Sequence, residues 1–409
     1  MTKRRIILSL ALVLIVMVIA TVGVTQLQGK PQPQFSADVV SALSNGDTTG
    51  YARAETVRDF TFPQDHGPHP DFQTEWWYFT GNLADSAGRR FGYELTIFRR
   101  AIAPTLPQRS SDWATNQIYF ADFALSDIAA NQFYSRQQFS RGAAGLAGAT
   151  FDPRLHVWIQ DWSIAAQDDN VNTLHLQAAD QPIVIDLTTH QIKSPTLEGD
   201  HGLSAKSTEP GNASYYYSLT RLPTDGTITV NRSPFQINGN TWMDHEFSTS
   251  ALGPDDAGWD WFALQLDNGR DIMLYRIRKR DGSSEAVSEG TLVNADGTSS
   301  RIPLASFTIT SPGQWASPRT GAVYPAGWHV TIQAASGPIV LDISPLMADQ
   351  ELNSTTAYWE GASHISGTDN GQSVNGYGYV ELTGYNRPSG NVTGDNAAST
   401  TPRFGDTTR

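Results

Sequence analysis

Two carboxylic acids two positions apart are the residues of this chain best suited to acid chemistry. Residues 242–247 are predicted to form a β-strand, in which successive side chains point to opposite faces. Trp242, Asp244 and Glu246 then share one face, while His245 points to the other. By the rise of a strand, the two acids lie about 6–7 Å apart. Asp244 and Glu246 are therefore the candidate catalytic residues.

The chemistry expected of this pair is proton donation to a carbon–carbon double bond. If their face lines an aromatic barrel lumen, burial and mutual repulsion raise at least one pKa. A carboxyl group that stays neutral near pH 7 can then donate its proton. Trp242, Trp259 and Trp261 are candidate substrate-binding residues, because aromatic faces stabilise a cation; His245 is included with them. The alternative is that both acids bind backbone amides or an arginine at a barrel rim.

A second set of candidate substrate-binding residues lies near the start of the chain. Glu75 and Trp77 hold a similar place in an earlier aromatic segment, and His69 is in the loop before it. The alternatives are an ion pair of Glu75 with Arg99 or Arg276, and a turn-capping or metal-binding role for His69. The histidine spacing gives no metal motif, so no metal site is predicted.

The elements that hold these residues repeat along the chain. Residues 75–83 and 91–99 are predicted to form a hairpin of aromatic and apolar strands that ends in arginine. Residues 259–266 and 271–278 repeat that pattern around a turn that contains Asn268-Gly269. An Asn-Gly turn between apolar runs is a strong hairpin signal. Two matching hairpins about 180 residues apart indicate the duplication of one β-domain.

The remaining pattern predicts an all-β protein in two halves. The 409 residues include 35 Gly and 22 Pro, and short alternating apolar runs recur between turns. We predict one barrel over residues 58–235 and a second over residues 236–388. Residues 30–57 are predicted to be a flexible linker, and residues 389–409 a disordered tail.

The N-terminus predicts export from the cytoplasm. Basic residues at positions 3–5 precede nineteen uncharged residues at positions 6–24. This pattern fits a signal peptide or an uncleaved membrane anchor over residues 1–29. In both cases the body of the protein lies outside the cytoplasm, and the membrane is a predicted partner if the segment is retained.

Composition and missing motifs exclude several other functions. A net charge of −13 argues against a nucleic-acid partner, which requires a basic surface. The chain has no cysteine, so thiol catalysis and disulfides are excluded. No phosphate-binding loop, Gly-x-Ser-x-Gly elbow or His-Glu-x-x-His motif occurs, and no cofactor is expected. A Ser-His-Asp triad assembled from distant residues stays open.

Several long motifs resemble those of the lipocalin-like AttH/carotenoid 1,2-hydratase family. They occupy residues 69–78, 214–221, 242–246, 259–262, 358–362 and 378–385, and the resemblance runs from about residue 57 to 388. It implies two tandem calycin-type β-barrels, which would follow the hydrophobic helix predicted from residues 6–24. It also implies that Asp244 is the proton donor of a hydratase. This chain has Trp242 where those enzymes have tyrosine, and Glu246 also departs from their pattern, so the reaction itself stays open.

Two main functions are compatible with these residues. The first is an enzyme that hydrates, cyclises or isomerises a hydrophobic, polyunsaturated molecule of the carotenoid or isoprenoid kind. The second is a carrier that binds a lipophilic small molecule without changing it. A glycosidase fits less well, because two acids on one strand face cannot flank a sugar from opposite sides.

Overall fold

The protein is built from antiparallel β-sheets, two of which are rolled into nearly closed barrels. The computed structural model describes residues 48–249, 252–253, 255–353 and 357–385. Both barrels lie in one compact unit. Apart from two short 3-10 helices, Gln64–His66 and Leu304–Ser306, the regular elements of the described residues are strands. The predicted all-β fold with two lipocalin-like barrels is confirmed.

Barrel 1 is the sheet formed by the first thirteen strands of the described chain. Its strands are β1 (Thr74–Asp85), β2 (Arg90–Ala101), β3 (Gln117–Asp127), β4 (Gln132–Arg141), β5 (Ala147–Thr150), β6 (His156–Ile159), β7 (Trp162–Ala166), β8 (Thr173–Asp180), β9 (Ile183–His190), β10 (Thr196–Leu197), β11 (Leu203–Ala205), β12 (Ala213–Val230) and β13 (Ser233–Ser248). Along the sheet they lie in the order β4-β3-β2-β1-β13-β12-β9-β8-β7-β6-β5, and β10 and β11 pair with β12.

Barrel 2 is a ten-stranded sheet formed from the rest of the described chain. The strands of this region are β14 (Asp256–Leu266), β15 (Asp271–Lys279), β16 (Glu289–Val293), β17 (Ser299–Pro303), β18 (Phe307–Thr310), β19 (Gln314–Ala316), β20 (Val323–Pro325), β21 (Trp328–Ala334), β22 (Gly337–Pro345), β23 (Glu351–Asn353), β24 (Ala357–Asp369) and β25 (Gln372–Leu382). The order along barrel 2 is β17-β16-β15-β14-β25-β24-β22-β21-β18, with β23 beside β24; β19 and β20 form a separate pair.

The two repeated hairpins of the sequence form the first two strands of each barrel. The β1–β2 hairpin pairs Trp76 with Phe98, and the β14–β15 hairpin pairs Trp261 with Tyr275. In each barrel the first strand also pairs with the last long strand of the same sheet, β1 with β13 and β14 with β25. Gly269 has φ 83°, a conformation that glycine adopts without steric cost, in the turn of the second hairpin. The shared topology supports the predicted duplication.

The boundary between the barrels differs from the predicted one. The sequence divided the chain between residues 235 and 236, which lies inside β13. That strand belongs to barrel 1, because it pairs with β12 on one side and with β1 on the other. The chain passes to barrel 2 between Ser248 and Asp256. Asp244 and Glu246 are therefore residues of barrel 1, and the prediction that placed them in the second domain is wrong.

The predicted linker is also shorter at its C-terminal end. Residues 48–57 pack against barrel 1: Ala54 is buried, and the Tyr215 hydroxyl donates a 2.8 Å hydrogen bond to the Thr56 carbonyl. Linker residues 30–47, the segment 1–29 and the tail 389–409 lie outside the described residues. Within the described residues we find no helix with the length and hydropathy of a membrane span.

The two barrels pack against each other through the outer faces of their strands, among them β1 with β25 and β2 with β24. Trp77 and Phe79 point into barrel 1, so their neighbour Tyr78 points outward and joins a separate apolar cluster with Trp261 of barrel 2. Gly92 of β2 lies so close to Ala362 of β24 that an added Cβ would come within 2.4 Å of the alanine Cβ. A glycine at this position thus permits the close approach of the barrels.

A buried ionic group also ties the barrels together. The carboxylate of Asp271 on β15 is fully buried and lies 2.6 Å from Lys193 Nζ and 2.6 Å from Arg221 Nη2. The Thr220 hydroxyl donates a further hydrogen bond of 2.9 Å to the same carboxylate. Because all three partners belong to barrel 1, this cluster fixes the position of β15 against it.

Candidate functional site

A cavity lies between the two barrels, where their outer faces do not meet completely. The space within it is about 910 Å³, a figure that includes the part open to solvent. Strands β1, β2, β12 and β13 of barrel 1 form one wall, and β14, β15, β24 and β25 of barrel 2 form the other. The acids of β13 were expected to face a barrel lumen; they face outward, into this cavity.

The lining combines aromatic rings with carboxyl groups. The aromatic residues are Trp76, Tyr78, Phe98, Tyr216, Trp259, Trp261, Tyr275 and Tyr358. The carboxyl groups are those of Asp244 and Glu246 from barrel 1 and of Glu360 and Glu381 from barrel 2. Among the described residues that line the cavity, Lys206 is the one basic side chain. The cavity therefore suits a largely apolar molecule that meets acidic groups.

Asp244 is held by three hydrogen-bond donors. Ser218 Oγ and Trp242 Nε1 donate to Oδ1 over 2.6 and 2.7 Å, and the Tyr216 hydroxyl donates to Oδ2 over 2.7 Å. Trp261 Nε1 of barrel 2 donates in turn to the Tyr216 hydroxyl, at 3.2 Å. Burial raises the pKa of Asp244 to about 7, although the three donors oppose that rise because they stabilise the carboxylate.

Glu246 forms an ion pair at the edge of the same wall. Lys206 Nζ lies 2.8 Å from Glu246 Oε1, and 5.4 and 5.2 Å from the ring centres of Tyr216 and Tyr275. The ammonium group is thus held by one carboxylate and by two aromatic faces. Because Lys206 lies beside it, Glu246 is less suited to proton donation than a carboxyl group without a cation nearby.

The two carboxyl groups of barrel 2 face each other directly. Glu360 on β24 and Glu381 on β25 are partners in the strand register, so their side chains leave the same face of the sheet side by side. The Tyr78 hydroxyl donates to Glu360 Oε2 over 3.0 Å. Burial, followed by the charge of Glu381, raises the pKa of Glu360 well above its usual range. Burial raises the pKa of Glu381 to about 8.

More buried acids surround this interface. Burial raises the pKa of Glu94 well above its usual range, and that of Asp122 to about 6. Glu198, whose carboxylate accepts a hydrogen bond from the Thr291 hydroxyl, has its pKa raised by burial to about 8. Burial thus raises the pKa of several carboxyl groups at the interface between the barrels.

The remaining predicted site residues form a separate group inside barrel 1, which we call the histidine cluster. Glu75 Oε1 lies 2.8 Å from His69 Nδ1 and 3.0 Å from His245 Nε2, and Glu75 Oε2 accepts a 2.8 Å bond from Arg99 Nε. Trp77 stacks on the His245 ring at 4.8 Å. The predicted Glu75–Arg99 ion pair, left open as an alternative, is the arrangement in the structure.

The histidine cluster also has the composition of a metal site. The candidate ligand atoms of His69, Glu75 and His245 all lie within 4.8 Å of one another. These atoms already form hydrogen bonds with one another, because His69 Nδ1 and His245 Nε2 both bond to Glu75 Oε1. Arg99 further donates to the carbonyls of His69 and Phe72, which joins the entry loop to the end of the barrel. The histidine cluster therefore has a structural role: its hydrogen bonds hold the entry loop against the end of barrel 1.

The predicted site residues thus divide between two places. Asp244, Glu246, Trp259 and Trp261 line the cavity, and Trp242 stands behind Asp244 as its hydrogen-bond donor. The other four predicted residues, His69, Glu75, Trp77 and His245, belong to the histidine cluster. Alternation along β1 and β13 explains the division, because neighbouring residues of a strand point to opposite faces.

Several cavity residues were not predicted from the sequence. They are Lys206, Tyr216, Ser218, Glu360 and Glu381. The motifs at 214–221, 358–362 and 378–385 contain four of them, and strand alternation places Tyr216 and Ser218 on one face. The sequence does not show that two barrels meet through their outer faces, so no partner could be assigned to these side chains.

The family model for AttH-like proteins matches residues 53–385, which include both barrels and every residue of the cavity. The chain belongs to the AttH-like family. Its fold is similar to the crystal structure of an AttH protein from Nitrosomonas europaea. The two chains are 31% identical with a TM-score of 0.72, and the match covers 82% of this chain and 99% of the other.

Two kievitone hydratases are also similar to this AttH-like protein, one in sequence and one in fold. The enzyme of Fusarium solani subsp. phaseoli is 25% identical over 224 residues, which are 52% of this chain and 61% of the enzyme. The match thus spans less than two thirds of that relative. The crystal structure of kievitone hydratase from Nectria haematococca is similar in fold, with a TM-score of 0.60 at 16% identity over 83% of this chain and 97% of the other.

Proposed function

We propose that this AttH-like protein adds water to a carbon–carbon double bond of a hydrophobic, unsaturated molecule bound between the barrels. One observation carries the proposal: Asp244, Glu360 and Glu381 line an aromatic cavity in which burial raises the pKa of each. Carboxyl groups of this kind hold a proton at neutral pH and can give it to a weakly basic partner. Water alone protonates an alkene very slowly, so the acid is the main requirement.

The reaction needs two proton transfers and one bond to oxygen. One carboxyl group donates a proton to an alkene carbon, which forms a C–H bond and leaves a cation on the neighbouring carbon. Rings such as Trp259 and Trp261 stabilise this cation through their π-electron faces. A water oxygen then bonds to the cation, and a carboxylate takes the proton that the water loses. Capture of the cation by a second double bond, or loss of a different proton, gives cyclisation or isomerisation instead.

The relatives support this class of reaction. Both kievitone hydratases are named for the addition of water, and one of them matches this chain in sequence over 224 residues. The carotenoid or isoprenoid character of the substrate is the narrower part of the proposal. It rests on the aromatic walls, which complement a long unsaturated hydrocarbon, and on the motifs that resemble carotenoid 1,2-hydratases.

Incubation with lycopene and with kievitone in ¹⁸O-labelled water tests the proposed hydration. We expect mass spectrometry to find one labelled oxygen in the product of at least one of them. Asp244→Asn should lower the rate by about 100-fold or more, the usual contribution of a positioned acid or base. Asp342→Asn is the control, because that aspartate is exposed and pairs with His329 away from the cavity. No labelled product from either compound, or an unimpaired Asp244→Asn variant, would contradict the proposal.

A carrier function is the second candidate, and the lining of the cavity favours it. Aromatic walls suit a lipophilic ligand whether or not chemistry follows. A carrier would retain lycopene or kievitone unchanged, and Asp244→Asn would not alter retention. Trp261→Ala would weaken binding. Mass spectrometry of the compounds that copurify with the folded protein distinguishes an unchanged ligand from a hydrated product.

Export is a further part of the proposal. The basic residues 3–5 and the uncharged residues 6–24 support an extracytoplasmic location, with the membrane as a partner if the segment is retained. Fractionation of cells that express the full chain tests this. The protein is expected with the membrane or outside the cytoplasm, and deletion of residues 1–29 is expected to leave it in the cytoplasm.

A further inference from the structure

We infer that Glu360 and Glu381 of barrel 2, the acid pair, donate the proton in this reaction, and that Asp244 across the cavity acts as the carboxylate that receives a proton from water. This inference rests on the proposed hydration and reverses the role that the family resemblance gives to Asp244. It follows from the positions of the three side chains and from the hydrogen bonds that each one receives.

The first argument is the geometry of the acid pair. Glu360 and Glu381 are directly opposed on neighbouring antiparallel strands, where Cα atoms lie about 4.5–5.5 Å apart. The two side chains leave the same face of the sheet side by side, and neighbouring carboxylates repel each other in a site with little water. The pair therefore keeps one proton when a single group would have lost it. Both side chains line the cavity, and the proton is therefore held where a substrate can take it.

The second argument is the difference in hydrogen-bond donors. Asp244 receives bonds of 2.6–2.7 Å from Ser218, Tyr216 and Trp242, and these occupy both of its oxygens. Three fixed donors stabilise the charged form of a carboxyl group, because each one favours the anion over the neutral acid. Within the described chain, Glu360 receives a donor from Tyr78, and the rise that burial causes in the pKa of Glu381 is opposed by the Trp259 side chain alone. The acid pair is thus the better proton store, and Asp244 the better carboxylate.

The surroundings of the acid pair favour the neutral form further. The titratable and charged groups around the acid pair come from strands of both barrels and from the loop after β11, which contains Lys206. They are Tyr78, Glu94, Asp122, Tyr358 and Tyr379 beside the pair, and Asp244, Glu246 and Lys206 on the other wall. Lys206 is already paired with Glu246. Burial raises the pKa of both groups; the acids among these neighbours raise that of Glu360 further, whereas Ser218, Tyr216 and Trp242 oppose the rise in that of Asp244.

With these roles, each proton of the reaction has a source and a destination. The acid pair gives its proton to one alkene carbon and becomes more negative by one charge. Water bonds to the resulting cation through oxygen and passes one proton to Asp244, which becomes neutral. Transfer of that proton from Asp244 back to the acid pair through cavity water restores the starting state. The net change is the addition of one water molecule to the substrate.

Infrared spectra of the resting protein test the proton positions without any substrate. At neutral pH we expect Glu381→Gln, and equally Glu360→Gln, to remove intensity from the carbonyl band of protonated carboxyl groups. Asp244→Asn is expected to remove less of it. Asp342→Asn, at an exposed site, is the control for the loss of one acid. A protonated-carboxyl band that loses intensity mainly in Asp244→Asn would overturn the inference.

The dependence of kcat/KM on pH tests the roles in the reaction, with lycopene and kievitone as the probe substrates. The wild-type rate should fall at high pH as the acid pair loses its proton, and at low pH as Asp244 gains one. Glu381→Gln should abolish the fall at high pH, Asp244→Asn the fall at low pH, and Glu381→Asp should restore part of the rate. If Asp244→Asn abolished the fall at high pH and Glu381→Gln the fall at low pH, the assigned roles would be refuted, but the proposed hydration would stand. Absence of turnover together with the expected infrared result would refute the hydration and leave the proton position intact.

Discussion

Trp261 of barrel 2 donates a hydrogen bond of 3.2 Å to the hydroxyl of Tyr216 in barrel 1. That hydroxyl donates to Asp244 Oδ2 over 2.7 Å, so the second barrel orients a group that binds the acid of the first. Because a hydroxyl group has one hydrogen, the indole N–H on its oxygen directs that hydrogen to the carboxylate. The packing of the barrels and the charge of Asp244 are thus linked through a single side chain.

Loss of the Tyr216 hydroxyl should raise the pKa of Asp244. In Tyr216→Phe one of the three donors is gone, and the neutral acid becomes more favourable. The titration of Asp244, followed by ¹³C NMR of labelled aspartate, is expected to move to higher pH. Tyr215→Phe is the matched control, since its hydroxyl bonds the Thr56 carbonyl on the other side of the strand. An unchanged titration in Tyr216→Phe would show that this donor has no influence on the carboxylate.

The aromatic wall of the cavity should determine the affinity for an apolar ligand. Trp259→Ala removes a large ring from the lining, and we expect the Kd for lycopene to rise by about 10-fold, or about 1.4 kcal/mol. Tryptophan fluorescence quenching measures this change. Phe139→Ala is the control, because Phe139 is exposed at the far end of a row of stacked rings that leads away from Phe98. Equal effects of the two substitutions would mean that the ligand binds elsewhere.

The ionic group around Asp271 should be important for stability. Asp271→Asn leaves Lys193 and Arg221 without their carboxylate in a buried site, which typically costs about 3–5 kcal/mol. Urea unfolding monitored by fluorescence gives the change in the free energy of unfolding. Asp349→Asn breaks a more exposed pair with Arg319 and is expected to cost less than about 1 kcal/mol. A similar, small cost for both variants would contradict the structural role assigned to Asp271.

The protein should become less stable as the pH rises from mildly acidic to mildly alkaline values. Asp244, Glu198 and Glu381 have pKa values raised by burial to about 7, 8 and 8, so the folded chain binds protons more tightly than the unfolded chain. Stability is complete below the ordinary carboxyl values of about 4 and is lost as the pH rises through the raised ones. Urea unfolding over this pH range measures the loss. Glu360→Gln should reduce the slope by up to about 1.4 kcal/mol per pH unit; an unchanged slope would indicate that Glu360 ionises normally.

The histidine cluster should act in the opposite direction at low pH. Although burial opposes it, Arg99, His245 and His69 hold the pKa of Glu75 well below its usual range. The stability that Glu75 contributes is present above about pH 4.5 and is lost as the pH falls through the lowered value. Acid unfolding of Glu75→Gln, compared with the wild type, measures this contribution. The variant is expected to be less stable at neutral pH but to lose less stability on acidification.

The sequence predicted those features that depend on neighbours along the chain. The hairpins at Trp76 and Trp261, and the opposite orientations of Asp244 and His245, follow from strand alternation and turn residues. The boundary at residues 235–236 was wrong because β13 pairs with β12 and with the distant strand β1, both of which belong to barrel 1. The role of Glu381 depends on Glu360 and on the opposite barrel, and pairing of that kind is a property of the assembled fold.

The position of the cavity has a consequence for how such a protein is assembled. One wall of the cavity belongs to strands before residue 249 and the other to strands after residue 255. A single barrel made alone would therefore expose the aromatic rings and carboxyl groups of its half of the lining to solvent. The covalent connection between the halves keeps the second wall at high local concentration during folding. In a one-barrel ancestor, the same enclosed space would have required two separate chains to associate.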